Sequence, residues 1–337
     1  MIGTDLPLDV SSPYGGHVTV PGVAELRDRS VPLIPGTSPR WSVTAADNPI
    51  ATVSPGEIFE VHTLDCRAGT IQGPDDIGLV ADASHINPVT GPIKIRGAEP
   101  GGVLSIDILD IRGRGRPLML VRPGVTSFDF VDRTALEFPE VGDDMVTVGG
   151  IPIALRPMIG FIATTPASGE VPTSGCGRTG GNLDTPLIAS GARVLLPVEV
   201  DGAGLFVGDA HLAQGDGELF LTGVESAATV RLAVKPLVGL AIPGPVVIGG
   251  GMVSVVGDGA TLDQAASVAS NRALRLLADE FGLDEYDAGF VVSAACHLRV
   301  CRFLPNYGSV CRIDIPQKVL ERAPAATETG ELLRGRS

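Results

Sequence analysis

Hydrophobic and polar residues alternate with a period of two along much of the chain, and turns rich in Gly and Pro separate the alternating segments. This period is typical of strands that bury one face. The clearest examples are residues 57–66, EIFEVHTLDC, and residues 103–111, in which Leu and Ile alternate with Ser and Asp. Further strands are predicted at residues 94–96, 193–200, 204–208, 229–234 and 312–316.

One segment follows the helical period instead. In residues 261–281, apolar side chains recur at spacings of three and four, which places them on one face of a helix. Thr261 fits the N-cap, and Gly282 fits the position after the last turn. A second, shorter helix is predicted from residue 283 to about residue 297. Together these elements predict a mainly β fold, sandwich- or barrel-like, with an α+β C-terminal part.

The length of 337 residues allows one large unit or two to three smaller domains. We predict a mainly β N-terminal region at residues 1–150 and a β-rich region at residues 151–325 that ends in the α+β part. The two regions can also pack as one unit. Residues 1–40 are rich in Pro and polar residues, which predicts a segment that wraps the surface or an oligomer partner. Residues 326–337 are predicted to be a frayed tail.

The chain is acidic, with a formal net charge of −14. Nucleic acids and anionic membrane surfaces both attract a basic face, so this charge argues against either one as a partner. It favours a neutral or cationic small-molecule substrate, or a bound cation. An acidic, solvated surface is the simpler explanation of the same charge.

The sequence also indicates a cellular location. The N-terminus, MIGTDLPLDV, lacks the basic region and apolar core of a secretory signal. Pro243 and Pro245 interrupt the apolar stretch LVGLAIPGPVVIGG before it reaches the length of a membrane span. The five cysteines show no CxxC spacing, which is typical of a reducing compartment. We therefore predict a cytoplasmic protein, with no membrane partner and with mostly buried thiols.

Residues 208–218, GDAHLAQGDGE, concentrate side chains that can act in chemistry. The chain has five histidines, and this segment places one of them among two Asp, one Glu and one Gln. His and carboxylates are the usual ligands of a catalytic zinc or a similar divalent ion. Asp209 and His211 lie two residues apart and therefore share a face where the chain is extended.

The same segment is predicted to be a loop that leaves a strand end, where a scaffold can position functional groups. Gly215 and Gly217 allow the backbone to turn tightly, which would bring Asp216 and Glu218 back toward the site. A solvated acidic turn with a surface histidine is the alternative interpretation.

The order of several motifs is more specific than any one of them. GGNLD at residues 180–184 precedes LLPVEVDGAGLFVGDAH, which continues into LAQGDGE, and Glu225 follows Glu218 within a TGVES run. In this order the chain resembles the acetamidase/formamidase family, whose members are soluble hydrolases that release ammonia from small carboxamides. The resemblance covers roughly residues 50–320. It implies a mainly β architecture and a homodimer or higher homo-oligomer.

For the site, the resemblance implies a divalent metal ion. Some of Asp65, Asp209, His211 and Glu225 would hold the ion, and His85 is a further candidate. Zinc is favoured by the type of ligand, with calcium or magnesium as alternatives. The ion would lower the pKa of a bound water and polarise the carbonyl of the substrate.

The resemblance also implies catalytic roles. Glu218 or Glu225 would act as general base and then protonate the leaving nitrogen, and the division between base and ligand stays open. Gln214 and Asn182 would orient the amide, and Asp184 would line the pocket. The predicted function is metal-dependent hydrolysis of a small carboxamide, such as formamide or acetamide, to a carboxylate and ammonia.

Several alternatives stay open. His62 stands where the resembling family usually has Glu, three residues before Asp65, so the metal or the substrate can differ. Cys176, flanked by glycines, could be a nucleophile in place of an activated water. The same fold could act on another linear C–N bond, in a urea- or guanidine-like substrate. It could also bind a small molecule or a metal without catalysis.

Overall fold

The structure is a computed structural model that describes residues 31–82, 85–237, 239–323 and 326–334. Strands form 41% of it and helices 16%, which confirms the predicted mainly β fold with helices at the C-terminal end. The first strands are β1 (Leu33–Ile34), β2 (Ser42–Thr44), β3 (Ala51–Val53), β4 (Ile58–Thr63), β5 (Val89–Ile95), β6 (Val103–Val121), β7 (Ala135–Glu137), β8 (Glu140–Val141), β9 (Met145–Val148) and β10 (Ile151–Ala154). The later strands are β11 (Met158–Ala163), β12 (Glu170–Pro172), β13 (Cys176–Gly177), β14 (Gly180–Asn182), β15 (Arg193–Pro197), β16 (Leu205–His211), β17 (Glu225–Leu237), β18 (Val246–Gly249), β19 (Met252–Gly259), β20 (His297–Phe303) and β21 (Ser309–Pro316). The helices are α1 (Leu262–Phe281), α2 (Glu285–Ala295), α3 (Gln317–Leu320), α4 (Glu328–Leu333) and a 3₁₀ helix at Pro74–Ala81.

A sheet of 16 strands curls into a half-barrel and carries most of these strands. Its two longest members, β6 and β17, pair antiparallel, and β17 also pairs with β4. Strand β16 pairs with β5, β11 and β17. Strands from both sides of residue 150 therefore lie next to each other in the same sheet. The strands β8, β9 and β10 form a smaller sheet, and β2 pairs with β12.

Strand β4 shows why the main sheet departs from simple alternation. Phe59 and Val61 are fully buried, as the period of two predicts, but Glu60 between them is buried as well. The Glu60 carboxylate forms ion pairs with Arg112 and, at 2.9 Å, with Arg231. Both faces of β4 are therefore covered, and two guanidinium groups compensate the buried charge.

Helix α1 confirms the local signals of the sequence. The Thr261 hydroxyl accepts the N–H of Gln264 at 3.3 Å, and Gly282 follows the last turn with a φ of 67°. The apolar face of α1 packs on β19 and β21. The buried small residues of this face are Ala265, Ala269 and Ala273. In the described ranges, no helix is both long enough and apolar enough to span a bilayer.

The C-terminal segment packs more closely than the sequence predicted. It forms α4, in which Leu333 is fully buried against the cluster around α1, and the Thr327 hydroxyl accepts a backbone N–H of the first turn at 3.1 Å. The prediction of a frayed tail is wrong for residues 326–334, because a buried leucine and a cap hold this helix in place. Residues 1–30 of the predicted surface segment and residues 335–337 of the predicted tail lie outside the described residues.

Candidate active site

Two neighbouring strands bring the acidic motif next to Glu225. Strand β16 ends at His211 and β17 begins at Glu225, and these two residues lie opposite each other in the antiparallel register. The prediction of a loop at residues 208–218 is therefore wrong for residues 208–211, which are strand. Their polar side chains give the sequence the look of a loop, but in the fold they belong to a buried site.

Asp209, His211 and Glu225 form a compact cluster. The His211 Nε2 atom lies 3.2 Å from Glu225 Oε1 and 3.5 Å from Asp209 Oδ1. None of the three residues is more than 2% exposed. Each offers one ligand atom, and these atoms lie within 4.8 Å of one another, so the cluster could hold a metal ion. Asp209 and His211 share a face, as their spacing predicted.

The cluster contains polar atoms that the described residues leave without a hydrogen bond. These atoms are Asp209 Oδ1, His211 Nε2 and Glu225 Oε2. Asn87 Nδ2 donates to the other oxygen of Asp209 at 2.8 Å, and Gln214 Oε1 lies 2.6 Å from His211 Nδ1. Burial lowers the pKa of His211, but Glu225 and Asp209 raise it well above its usual range. Buried polar atoms normally have partners, so the cluster fits a bound cation.

Asp184 and Glu218 form a second group with His211, with ligand atoms again within 4.8 Å of one another. Asp184 is fully buried and Glu218 is 8% exposed. Both residues have a φ of 45°, a conformation that is uncommon outside glycine. The Arg302 Nη1 atom contacts Asp184 Oδ2 at 3.1 Å and partly compensates this second group.

The site holds more buried carboxylates than buried cationic groups. Burial raises the pKa of Glu225 to about 8, against the opposing effect of His211, and raises the pKa of Glu218 well above its usual range. Burial also raises the pKa of Asp184 to about 6, although Arg302 lowers it. A cation placed among these carboxylates would stabilise their charged forms, so its binding would be coupled to proton release.

Two glycines allow these side chains to lie against the backbone. A Cβ atom at Gly160 would lie 2.7 Å from Asp184 Oδ1 and 2.9 Å from Asp209 Oδ2. A Cβ atom at Gly223 would lie 2.8 Å from His211 Nδ1. These distances are shorter than carbon–oxygen or carbon–nitrogen contacts permit, so a larger residue at either position would displace a candidate ligand.

A cavity of about 60 Å³ lies beside the two ligand groups, and Glu218 and Glu225 line it. At roughly 10–15 Å³ for each water-sized group, it has room for about four to six such groups, which is the size of a very small organic molecule. Its apolar wall consists of Val80, Ile86, Leu120, Leu221 and Leu304. Its polar wall includes Asn87, Asn182, Glu218, Glu225 and Arg302. The Asn182 Oδ1 atom is buried and has no hydrogen-bond partner among the described residues.

Asp65 and His85, two of the predicted ligands, lie in other surroundings. The Asp65 carboxylate accepts the backbone N–H groups of Arg67 and Gly69, each at 2.9 Å, and thereby stabilises a turn. His85 is exposed, and its ring packs edge-on against Trp41 with the ring centroids 4.9 Å apart. Neither residue belongs to the two ligand groups that the described residues form.

Gln214 and His62 occupy positions that the sequence did not specify. Gln214 Nε2 donates to the backbone carbonyl of Asp184 at 2.7 Å, while its oxygen faces His211, so both ends of the amide are engaged. His62 is half-buried on β4 and lies opposite Thr229 on β17.

Cys176 does not have the features of an activated nucleophile. Burial raises the pKa of its thiol to about 12, although Arg302 lowers it. The thiol therefore stays protonated at neutral pH, whereas a nucleophilic cysteine reacts as the thiolate. Cys176 is also absent from the residues that line the cavity.

Sequence reasoning missed Arg302 and Asn87, and it misplaced Asp216. Arg302 and Asn87 contact the buried carboxylates from distant parts of the chain. Asp216 does not return to the site but pairs with Arg312, with nitrogen–oxygen distances of 2.6 and 2.8 Å. Arg302 lies between Cys301 and Phe303, and an arginine with apolar neighbours on both sides is the local signal that could have found it.

Comparison with known proteins agrees with this architecture. The family model described as "Acetamidase/Formamidase family" matches residues 39–174 and 167–322. The chain belongs to the acetamidase/formamidase family. This result confirms the resemblance drawn from the order of the motifs. The acetamidase/formamidase model covers strands from both ends of the main sheet and all of the residues in the two ligand groups.

Individual relatives support this membership. The chain is 26% identical to a formamidase of Methylophilus methylotrophus over 55% of its length and 28% identical to an acetamidase of Mycolicibacterium smegmatis over 64%. It spans 60% and 68% of the lengths of these relatives. A crystal structure of an acetamidase from Bacillus halodurans is 31% identical, with a TM-score of 0.83, and the match covers 86% of this chain and 99% of that one.

Proposed function

We propose that this protein is a metal-dependent amidohydrolase that cleaves a small carboxamide to a carboxylate and ammonia. The observation that carries the proposal is the buried cluster of Asp209, His211 and Glu225, which lies beside a cavity of about 60 Å³. The size of the cavity suits an amide with few heavy atoms, such as formamide or acetamide. Two of the relatives are named formamidase and acetamidase, which supports the same reaction.

The donor set of the cluster suits zinc. One imidazole nitrogen and two carboxylates are ligands that zinc accepts, whereas calcium and magnesium prefer oxygen alone. We assign Asp209, His211 and Glu225 as the ligands, because their ligand atoms lie within 4.8 Å of one another and each residue has an unpartnered polar atom. When bound, such an ion polarises a carbonyl and lowers the pKa of a bound water. Asp65 and His85 stay predicted ligands.

Glu218 is our candidate for the general base. It lines the cavity, and burial raises its pKa well above the usual range, which strengthens the carboxylate as a base. In the proposed reaction, Glu218 takes a proton from the attacking water and delivers it to the leaving nitrogen. Asn182 lines the same cavity and presents an unpartnered Oδ1, which can accept a hydrogen bond from the NH₂ group of the substrate.

We assign Gln214 a positioning role in place of the contact to the substrate amide that the sequence predicted. Its oxygen accepts the Nδ1–H of His211, which leaves Nε2 as the ligating atom. We expect Gln214→Ala to weaken zinc binding roughly 10- to 100-fold, which is typical of the loss of a ligand's outer partner. A calorimetric zinc titration measures the effect, with Gln72→Ala, at an exposed glutamine, as the control. Unchanged zinc affinity would remove this role.

Ammonia release tests the proposed function directly. We expect the purified protein to contain about one divalent ion per chain and to release ammonia from formamide or acetamide. Removal of the ion with a chelator should abolish the release, and added zinc should restore it. Urea and guanidinium belong in the same screen as the alternative C–N substrates. Full activity in protein shown by elemental analysis to be metal-free would contradict the proposal.

The same assay separates water from cysteine as the nucleophile. We expect Cys176→Ser to keep most of the activity, because the raised pKa keeps the thiol protonated. Alkylation of the native protein with iodoacetamide should likewise have little effect. A covalent acyl-enzyme detected by mass spectrometry, together with an inactive Cys176→Ser variant, would reverse this assignment. The predicted homodimer and the cytoplasmic location stay predictions.

A further inference from the structure

Arg302 is a cationic group that contacts the acidic site without belonging to either ligand group. Its side chain is 3% exposed. Its Nη1 atom contacts Asp184 Oδ2 at 3.1 Å, and Nη2 donates to the carbonyl of Tyr307 at 3.3 Å. Its Nε atom is buried and has no hydrogen-bond partner within the described part of the chain. A buried guanidinium N–H without an acceptor is uncommon in folded proteins.

Arg302 also lines the cavity, together with Asn182. The two residues present opposite unpartnered groups, since Arg302 offers an N–H donor and Asn182 offers an oxygen acceptor. A primary amide has the complementary pair, because its carbonyl oxygen accepts hydrogen bonds and its NH₂ group donates them. The carboxylate product has only acceptors, so it matches Arg302 more closely than Asn182.

The backbone around Arg302 is fixed to the acidic motif. The Gly217 N–H donates to the Cys301 carbonyl at 3.1 Å, and the Phe303 N–H donates to the Gly217 carbonyl at 2.8 Å. These bonds flank Arg302 on both sides and join β20 to the segment that carries Glu218. The backbone at Arg302 is therefore fixed before any substrate enters, and the contacts with Asp184 and Tyr307 hold the guanidinium.

We propose that Arg302 binds the carbonyl oxygen of the substrate through Nε–H and then holds the carboxylate product. The proposal rests on the proposed amide hydrolysis. As water adds to the carbonyl carbon, negative charge grows on the oxygen, and a positively charged donor stabilises that charge more than the neutral amide. The same positive charge disfavours a cationic substrate, so a guanidinium ion is a poorer candidate than a neutral amide or urea.

Acetate is a direct probe of this contact, because it carries the product's carboxylate and needs no turnover. We expect Arg302→Met to weaken acetate binding at least about tenfold in calorimetry, since a charge-assisted hydrogen bond is lost. It should lower kcat/KM for acetamide roughly 10²- to 10³-fold, the usual effect of removing an oxyanion donor. The content of bound metal should stay the same, because Arg302 is not a ligand. Arg299→Met is the matched control, since Arg299 lies on the same strand with a half-exposed side chain.

A loss of acetate affinity or activity in Arg302→Met has a competing explanation, namely that Arg302 acts only by balancing the negative charge of Asp184. The double variant Arg302→Met, Asp184→Asn removes both charges of this pair. If it regains the acetate affinity and the kcat/KM of the Asp184→Asn single variant, Arg302 serves only to balance Asp184 and the proposal is overturned. A persistent loss supports the contact with the substrate. Acetate affinity in Arg302→Met within about threefold of the wild type would also overturn it.

A second variant tests the contact if Arg302→Met does not fold, and an ammonia assay tests the proposed function separately. Should Arg302→Met fail to fold, Arg302→Lys keeps the charge near Asp184 but removes the Nε–H donor, and wild-type acetate affinity in this variant would overturn the proposal. The proposed function fails separately, if the wild-type protein releases no ammonia from any amide. In that case the acetate titration still decides whether Arg302 binds a carboxylate.

Discussion

His211→Ala is expected to remove the bound divalent ion and to lower kcat/KM for small amides on the order of 10³-fold or more, because it deletes the one nitrogen ligand of the cluster. His211 contacts both Asp209 and Glu225, at 3.5 and 3.2 Å, and it belongs to both ligand groups. The loss of the imidazole therefore leaves four buried carboxylates without a ligating nitrogen between them. These carboxylates belong to Asp184, Asp209, Glu218 and Glu225.

Elemental analysis and ammonia release measure this effect together. The matched control is His297→Ala, because His297 is exposed on β20 and lies outside both ligand groups. We expect the control to keep its metal and its activity. A full complement of metal in His211→Ala would contradict the assignment of the ligand cluster, whatever the activity of that variant.

Arg312→Met is expected to lower the free energy of unfolding by roughly 3–5 kcal/mol, the usual cost of breaking a buried ion pair. The Arg312 side chain is 1% exposed and binds both oxygens of Asp216 as well as Asp314, at 2.9 Å. Without the guanidinium, the buried Asp314 loses its partner at 2.9 Å and keeps only a more distant contact with the half-exposed Arg299, at 3.9 Å. Asp216 also loses a contact that, with the backbone bonds of Gly217, anchors the segment carrying Glu218, so activity should fall as well.

Chemical denaturation measures the stability change, and Arg299→Met is the control. Arg299 faces the same Asp314 carboxylate, at 3.9 Å, but its side chain is half-exposed. Exposed pairs of this kind contribute about 0–1 kcal/mol, so the control should stay close to the wild type. Equal losses in the two variants would show that burial of Arg312 is not what makes its pair important.

The sequence predicted features that depend on local contacts. The caps of α1 at Thr261 and Gly282 act within one turn of helix, so their residue types alone identify them. The motif around Asp209 and His211 was also recognisable, because its ligands are close together in the chain and alternate on a strand. Glu225 entered the predicted site through the family resemblance, and it begins the strand that pairs with the end of β16.

Features that depend on distant contacts were not accessible in this way. The Arg302 and Asp184 pair spans 118 positions, and the Arg312 and Asp216 pair spans 96. The sequence places Asp184 in a recognisable motif, but it does not show which distant arginine pairs with Asp184 or with Asp216. The same reasoning explains the misplaced Asp216, whose position between two glycines indicated a return to the site but whose partner lies on β21.

The hydrogen bonds between Gly217 and β20 join two parts of the chain that are synthesised at different times. Every carboxylate of the two ligand groups has been synthesised by the time the ribosome reaches Glu225, whereas Arg302 follows much later. At translation rates of about 5–20 residues per second, the interval is roughly 4–15 s. A nascent chain that ends before β20 therefore contains the acidic cluster without the guanidinium that faces it, and the cavity receives its final wall among the last strands to be made.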